Sequence, residues 1–328
     1  MLSPSGHHCI SFFLSLQLPA SGLLQARLST AAVGTREAGS TINTFQYMIL
    51  IADSGSTKTT WCTAGSKDHA GRSCTTAGIN PFLQTPDEIY VTLENEFTLG
   101  RGPFSDIYFY GAGCANPKKN EEVRQPLSRF FKTDEIHVDS DLMGAARSLC
   151  GNSPGIAAIL GTGSNSCYYD GIRIARHVSP LGYILGDEGS GTVLGRKLLA
   201  DILKNQLPES VCEAFFKEYK LEPADILEHV YRKPFPNRFM AQFTHFLAAH
   251  KENPAVYRLI KESFTGFFNR NIRQYPEAAR LPVNVTGSIG WHFRDILTET
   301  ASEAGFSTGA VTQSPMEGLL RYHNEFNL

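Results

Sequence analysis

Two stretches of the sequence decide the fold: MILIADSGSTKTTWCTA at residues 48–64 and GIAAILGTGSNSCYYD at residues 155–170. In each stretch, a short apolar run ends at a turn of Gly, Ser and Thr, and a second run rich in β-branched or aromatic residues follows. A third run comes after each pair, at residues 72–76 and 172–175. Runs of this kind separated by glycine-containing turns are typical of antiparallel strands. The sequence therefore predicts the same three-stranded meander twice, in two similar half-domains.

The rest of the chain after residue 76 alternates between helical and strand patterns. Between the two meanders, apolar spacing predicts a helix at 86–97, a strand at 106–110, a helix at 122–131, a strand at 135–138 and a helix at 142–149. After the second meander, the predicted helices lie at 192–203, 208–219, 223–230, 238–250, 255–275, 291–304 and 315–326, with strands at 282–285 and 310–312. Strands that alternate with helices predict an α/β fold.

Composition excludes several classes of protein. The chain has 328 residues, of which 42% are hydrophobic, and at roughly 150 residues per domain this length suggests about two globular domains. Its 30 Lys and Arg residues against 32 Asp and Glu residues give a net charge of -2, so no overall field favours nucleic acid or an anionic membrane. Seven cysteines without a Cys-x-x-Cys pair indicate reduced thiols rather than a zinc site. We therefore predict a cytoplasmic protein with neither a nucleic-acid nor a membrane partner.

Residues 1–47 differ in character from the rest of the chain. The apolar run at residues 9–18 has no Lys or Arg before it, whereas a secretory signal has a positively charged region there. The remainder of this segment is rich in Ser, Thr and Ala. We predict a disordered extension outside the fold, with Met48 as an alternative start. A targeting segment is the other interpretation.

Three turns that each follow an apolar strand combine glycine with Ser or Thr hydroxyls. They contain Gly55, Ser56, Thr57 and Lys58; Gly161, Thr162, Gly163 and Ser164; and Gly287 and Ser288. Glycine lets a ligand approach the backbone, and the N–H and hydroxyl groups donate to phosphate oxygens. Asp53, directly before the first turn, offers a carboxylate to Mg²⁺. A plain hairpin would explain any one of these turns, but three together favour a nucleotide site with Mg²⁺.

Two common nucleotide-binding motifs do not account for these turns. A Walker loop requires a Gly-Lys pair, which the sequence does not contain. A Rossmann fingerprint requires a third glycine after Gly161 and Gly163, and that glycine is missing.

The three turns resemble the two phosphate loops and the adenosine loop of the actin-like ATPase superfamily, which includes sugar kinases, heat-shock ATPases and actin. More narrowly, GTGSN at residues 161–165 followed by LGDEGS at residues 185–190 is similar to the N-acetylglucosamine kinase branch of the BadF/BadG/BcrA/BcrD ATPase family. The resemblance extends from Met48 to the C-terminus. It implies two actin-like (ribonuclease H-like) half-domains with a cleft between them, at residues 48–150 and 151–328, the second with a helical insertion.

The same resemblance assigns roles to four polar residues. Asp141, in DSDLMG at residues 139–144, matches the aspartate of the family's Thr-Asp-Ala-Ala-Gly, which acts as catalytic base on the sugar hydroxyl. Asn80, Asn165 and Asp187 match residues that contact the sugar. After Asp141 this chain has the bulkier pair Leu-Met where the family has Ala-Ala. The identity of the acyl substituent on the sugar is therefore left undecided.

Each assignment has an alternative in ordinary structure. Asp139 is a rival base, and Asp141 could instead cap the following helix. Asp187 could belong to a solvated first helical turn, Asn80 could be a turn residue before proline, and Lys58 could be a surface lysine.

The resemblance implies an ATP-dependent kinase that converts an N-acetylated hexosamine, N-acetylglucosamine first, to its 6-phosphate by in-line phosphoryl transfer with an Asp base. The implied partner is a small-molecule sugar. Whether two copies of the chain form a homodimer is left undecided by the sequence. One alternative is an ATPase activator of a radical acyl-CoA dehydratase or reductase, but such activators carry a cysteine before the Gly-Thr-Gly turn, where this chain has Ala158, Ile159 and Leu160. Another is a sugar-sensing protein without catalysis, which the presence of Asp53, Asp141 and Asp187 disfavours.

Overall fold

Two five-stranded sheets form the framework of this protein, whose computed structural model describes residues 48–65 and 71–326. The strands of the first sheet are β1 (Ile49–Ser54), β2 (Lys58–Ala64), β3 (Ser73–Ala77), β4 (Ile107–Gly111) and β5 (Ile136–Ser140). Those of the second are β6 (Gly155–Leu160), β7 (Ser164–Tyr169), β8 (Ile174–Val178), β9 (Val283–Thr286) and β10 (Thr308–Thr312). The predictions for residues 1–47 lie outside the described residues.

The two sheets have the same topology. The first has the order β3-β2-β1-β4-β5, and the second has β10-β9-β6-β7-β8. In each, three successive strands pair antiparallel, and two further strands are added in parallel beside the first strand of the meander. The α/β class and the repeated meander are therefore confirmed.

Thirteen α-helices accompany the sheets within the described residues. They are α1 (Pro86–Glu96), α2 (Pro117–Phe131), α3 (Asp141–Cys150), α4 (Gly182–Leu185), α5 (Gly191–Leu203), α6 (Glu209–Tyr219), α7 (Pro223–Tyr231), α8 (Pro236–Ala241), α9 (Thr244–Ala249), α10 (Pro254–Arg270), α11 (Ser288–His292), α12 (Arg294–Glu303) and α13 (Met316–Phe326). Short 3-10 turns occupy Ile272–Gln274 and Pro276–Ala279. Over the described part of the chain, no helix has both the length and the apolar character that crossing a membrane requires.

Several helices differ from the sequence predictions. The single helix predicted at 238–250 is wrong, because the chain bends between α8 and α9. The apolar periodicity continues across this bend, since Met240, Phe243 and Phe246 all pack into the same core. The helix predicted at 291–304 is likewise divided, and the one predicted at 255–275 ends at Arg270. Apolar spacing thus identified the buried face but not the breaks in the backbone.

Helix α3 lies between the two sheets and contacts both. Its Leu142 and Ala146 pack with Ala157, Cys167 and Tyr169 of the second sheet. On the other side, Gly144 lies directly against the ring of Tyr110 in β4. A side chain at the beginning of α3 is therefore held close to the junction of the two halves of the fold.

Candidate active site

The first turn, between β1 and β2, is held by its own backbone and by buried hydroxyls. The N–H of Gly55 donates to the carbonyl of Lys58 at 3.0 Å. Behind the turn, the buried Ser54 Oγ lies 2.7 Å from Thr59 Oγ1. It also bonds the backbone of Ile79 at 3.0 Å. These contacts tie the residue 77–80 segment to the first turn.

Asn80 lies at the end of that segment and takes part in a local turn. Its Oδ1 accepts a hydrogen bond from the N–H of Phe82 at 2.9 Å, which is the Asx-turn arrangement. Its Nδ2 has no partner among the residues described. The side-chain oxygen of Asn80 therefore serves the turn, as the alternative interpretation expected, while its amide nitrogen is available to a ligand.

Three acidic residues of the first half of the chain lie near one another. Strand pairing places Asp53, Tyr110 and Asp139 side by side on β1, β4 and β5. Asp141 follows two residues later, at the first position of α3. The helix cap is Ser140, whose Oγ accepts from the N–H of Met143 at 3.1 Å. The structure thus corrects the alternative that Asp141 caps this helix.

The electrostatic environments of these carboxylates differ. Burial, and then the negative charge of Asp141, raise the pKa of Asp53 to about 7, although Lys58 acts in the opposite direction. Burial raises the pKa of Asp141 to about 6. Asp139 also has a raised pKa because of burial, which the hydrogen bond from the N–H of Ser140 and then the charge of Arg147 oppose. Nη1 of Arg147 lies 3.9 Å from Asp139 Oδ2. Asp139 therefore has a cationic partner, which makes Asp141 the better candidate for a free base.

The second turn, between β6 and β7, rests on the beginning of α5. The N–H of Gly161 donates to the carbonyl of Gly163 at 3.0 Å, and the N–H of Gly191 donates to the carbonyl of Gly161 at 2.8 Å. Thr192 adds two bonds to the carbonyl of Thr162, from its N–H at 3.1 Å and from its Oγ1 at 2.7 Å. The turn and the helix are therefore held together.

Asp187 lies against this second turn. Its Oδ1 accepts from the N–H of Ser164 at 3.4 Å, and a Cβ at Gly163 would lie 3.2 Å from its Oδ2. Burial raises the pKa of Asp187 to about 6. The residue has a left-handed backbone and precedes α5, whose cap is Ser190. The alternative of a solvated first helical turn is therefore wrong.

Asn165 and Lys58 occupy more open positions. The Asn165 Oδ1 lies 2.8 Å from Nε2 of His177 in β8, and it also accepts from the N–H of Ser166 at 3.0 Å. The Lys58 side chain is exposed at the beginning of β2.

The third turn packs directly on the second. Gly287 has φ +119°, and a Cβ at this position would overlap the carbonyl oxygen of Leu160. Ser288 then begins α11. Because β9 pairs with β6, the turns that follow these two strands lie at the same edge of the sheet.

One cavity of about 430 Å³ brings the three turns together. Thr57 of the first turn, Thr162 of the second and Ser288 of the third all line it. Its remaining lining residues come from α5, α8, α9 and α11 and from segments next to them: Gly191, Arg238, Ala241, Gln242, Thr244, His245, Ala248, Ile289, His292 and Phe293. The carboxylates and Asn80 are not among them. The cavity therefore gathers hydroxyl-bearing turns, one arginine and two histidines.

Comparison with known proteins identifies relatives through structure. No family model matches the chain, and no curated protein matches its sequence. A crystal structure of a "putative N-acetylglucosamine kinase" from Porphyromonas gingivalis is 49% identical, covers 85% of this chain and 100% of its own, and has a TM-score of 0.81. The chain belongs to this family of sugar kinases.

Two more distant structures share the fold of this sugar-kinase family. A "putative N-acetylglucosamine kinase" from Chromobacterium violaceum is 20% identical with a TM-score of 0.64, and the match covers 84% of this chain and 98% of that one. A ROK family glucokinase from Streptomyces griseus, solved with glucose and AMPPNP, is 13% identical with a TM-score of 0.54 and the same coverage. The actin-like fold expected from the sequence is confirmed.

In this sugar kinase, the bulky pair after Asp141 packs inside the protein. Leu142 is buried in the contact between α3 and the second sheet, and Met143 packs partly against the same cluster. The Leu-Met pair therefore contributes to the packing of α3 on the second sheet.

Sequence reasoning missed the polar residues that α8, α9 and α11 contribute to the cavity of this sugar kinase. Arg238, Gln242, His245 and His292 occur in no recognised motif. The helix predicted at 238–250 included three of them as one continuous surface. The bend between α8 and α9 determines where the side chains of these two helices point, and no local sequence pattern predicts that bend.

Proposed function

We propose that this protein transfers the γ-phosphoryl group of ATP to a hydroxyl of an N-acetylated hexosamine, with N-acetylglucosamine and its 6-phosphate as the first candidates. The convergence of Thr57, Thr162 and Ser288 on one cavity is the observation that carries this proposal. Hydroxyls and backbone N–H groups from three turns suit a phosphate chain. Membership of the sugar-kinase family supports the sugar as acceptor.

Asp141 is the proposed base. At neutral pH a carboxyl group with a pKa of about 6 is mostly ionised, yet it is more basic than an ordinary aspartate, as a general base requires. Its Oδ1 accepts from the N–H of Leu142 at 2.8 Å, which orients the carboxylate at the start of α3. In this role it accepts the proton of the sugar hydroxyl as that oxygen attacks phosphorus.

The residues around Asp53 fit a hydrated Mg²⁺ ion. Burial raises the pKa of Asp53 to about 7, and Asp141 adds to the shift. A divalent cation would relieve this excess of negative charge. Carboxylate oxygens with water are its usual ligands. Asp53 would hold the ion, which when bound neutralises charge on the phosphates.

The sugar is proposed to bind between the halves at residues 48–150 and 151–328. Asn80 offers its Nδ2 from the first half, while Asn165 and Asp187 belong to the second. Gly55, Ser56, Lys58, Gly161, Gly163, Ser164 and Gly287 complete the proposed nucleotide loops. Binding that draws on both halves favours closure around the sugar, which would exclude water from the phosphoryl group.

The test is ADP release with Mg²⁺ in the presence of N-acetylglucosamine, N-acetylmannosamine, glucose or no sugar. We expect an N-acetylhexosamine to raise ATP turnover by at least about 100-fold, as when substrate-driven closure assembles a site. Phosphorus NMR of the product identifies the phosphorylated hydroxyl. Turnover that is already maximal without sugar would instead support the ATPase alternative, and binding of sugar without any turnover would support the sensing alternative.

A further inference from the structure

Arg238 in α8 joins parts of the site that belong to different halves of the chain. Its Nη2 donates a hydrogen bond to the carbonyl oxygen of Ser56 in the first turn. The side chain also lines the cavity together with Thr57 and Thr162. The guanidinium therefore contacts the first turn, and Arg238 lines the same cavity as the second turn.

The backbone that carries Arg238 is fixed to the second turn. The Thr192 hydroxyl, which bonds the carbonyl of Thr162, also lies 3.2 Å from the carbonyl of Asn237. Close packing of α8 on α5 requires Gly195, because a Cβ there would overlap the carbonyl of Met240. The second turn, α5 and α8 thus form one connected unit, and Arg238 extends from it.

The guanidinium of Arg238 lies over the ring of Phe235, 4.5 Å from its centroid, but no carboxylate of the described residues neutralises its charge. Within residues 48–65 and 71–326, no carboxylate forms an ion pair with it, whereas Arg270 pairs with Glu188 and Lys261 with Glu299. The residues lining the cavity include no Asp, Glu or Lys. Apart from the bond to Ser56, its N–H donors have no acceptor among the described residues. The guanidinium is held in place but retains its charge and most of its donors.

We propose that Arg238 binds the phosphate chain of the nucleoside triphosphate, with the Ser56 carbonyl orienting its guanidinium between the two turns. A guanidinium presents paired donors that match phosphate oxygens. The inference rests on the proposed function for the presence of a nucleotide. It adds a binding residue from α8 that no loop motif predicts, and it links α8 to the first turn through the ligand.

The test compares binding of two probes, AMPPNP with Mg²⁺ and adenosine, by titration calorimetry. We expect Arg238→Met to weaken AMPPNP binding by about 10- to 100-fold, the range for losing charge-assisted hydrogen bonds. Adenosine binding should stay within about twofold, because adenosine has no phosphate. Arg238→Lys should bind AMPPNP with an affinity between those of the wild type and Arg238→Met, since lysine keeps the charge but lacks the paired donors of a guanidinium. Arg232→Met is the matched control, because Arg232 is an exposed arginine at the end of α7.

Either of two results with Arg238→Met would overturn the inference: AMPPNP binding within twofold of wild type, or equal weakening of AMPPNP and adenosine. Equal weakening would mean that Arg238 only supports the shape of the cavity. If Arg238→Met does not fold, Arg238→Lys decides by the same comparison. A wild-type protein that binds no AMPPNP would contradict both this inference and the nucleotide in the proposed function. One that binds AMPPNP but phosphorylates no sugar would contradict the proposed function alone.

Discussion

Replacing Asp141 by Asn tests the catalytic base most directly. The substitution keeps the size of the side chain and an oxygen that can accept from the N–H of Leu142. It removes the charge and the ability to take a proton. We therefore expect ATP and sugar to bind nearly as before, while kcat falls by about 10²- to 10⁴-fold, the usual contribution of a general base.

The pH dependence gives this prediction a second magnitude. Burial raises the pKa of Asp141 to about 6, so the carboxyl group of the wild type is about 97% ionised at pH 7.5 and about 10% ionised at pH 5. Because only the ionised form accepts a proton, kcat/KM should fall about tenfold between these pH values. The residual activity of Asp141→Asn should have a smaller acidic limb, to which Asp187, with a pKa also raised to about 6 by burial, still contributes.

The assay is a coupled measurement of ADP release at saturating Mg²⁺, with initial rates from pH 5 to pH 8.5. Asp139→Asn is the matched control, because Asp139 lies two residues away and is paired with Arg147. A variant Asp141→Asn within about threefold of wild-type kcat would refute the assignment. If Asp139→Asn instead showed the large loss and the smaller acidic limb, Asp139 would be the base.

Three further predictions concern stability and the boundary of the fold. Asp53→Asn should stabilise the metal-free protein at pH 8: folding raises the pKa of Asp53 from 3.8 to about 7, a cost of about 4 kcal/mol that solvent contact reduces to roughly 2. Because the native carboxyl group is neutral at low pH, the gain should shrink as pH falls to 5, and urea unfolding that shows a pH-independent gain would argue against it. Gly195→Ala should lower the free energy of unfolding by about 1–3 kcal/mol, since its Cβ would overlap the carbonyl of Met240; an unchanged melting temperature would show that α8 can shift freely. A chain that starts at Met48 should keep the full unfolding transition and activity, because all ten strands of the two sheets lie within the described residues, and a large loss of melting temperature would contradict this.

Much of the candidate site could be predicted because its residues occur in local patterns. The turns around Gly55, Gly161 and Gly287 each follow an apolar strand, and a strand followed by such a turn is visible in a few consecutive residues. The register of β1, β4 and β5 then places Asp53 beside Tyr110 and Asp139. The family resemblance favoured Asp141 over Asp139 as the base, and the structure adds that Arg147 lies near Asp139, a contact that no local pattern predicts.

The repeated meander and the three hydroxyl-bearing turns could be recognised from the sequence, because strand patterns and glycine-containing turns are properties of short segments. Tertiary structure alone decided that the turns line one cavity, that Leu142 is buried between the halves, and that Arg238 reaches Ser56. These features depend on contacts between segments far apart in the chain. A bend such as the one between α8 and α9 arises when packing on a common core outweighs local helix propensity. The spacing of apolar residues along the chain does not show which of the two effects is larger.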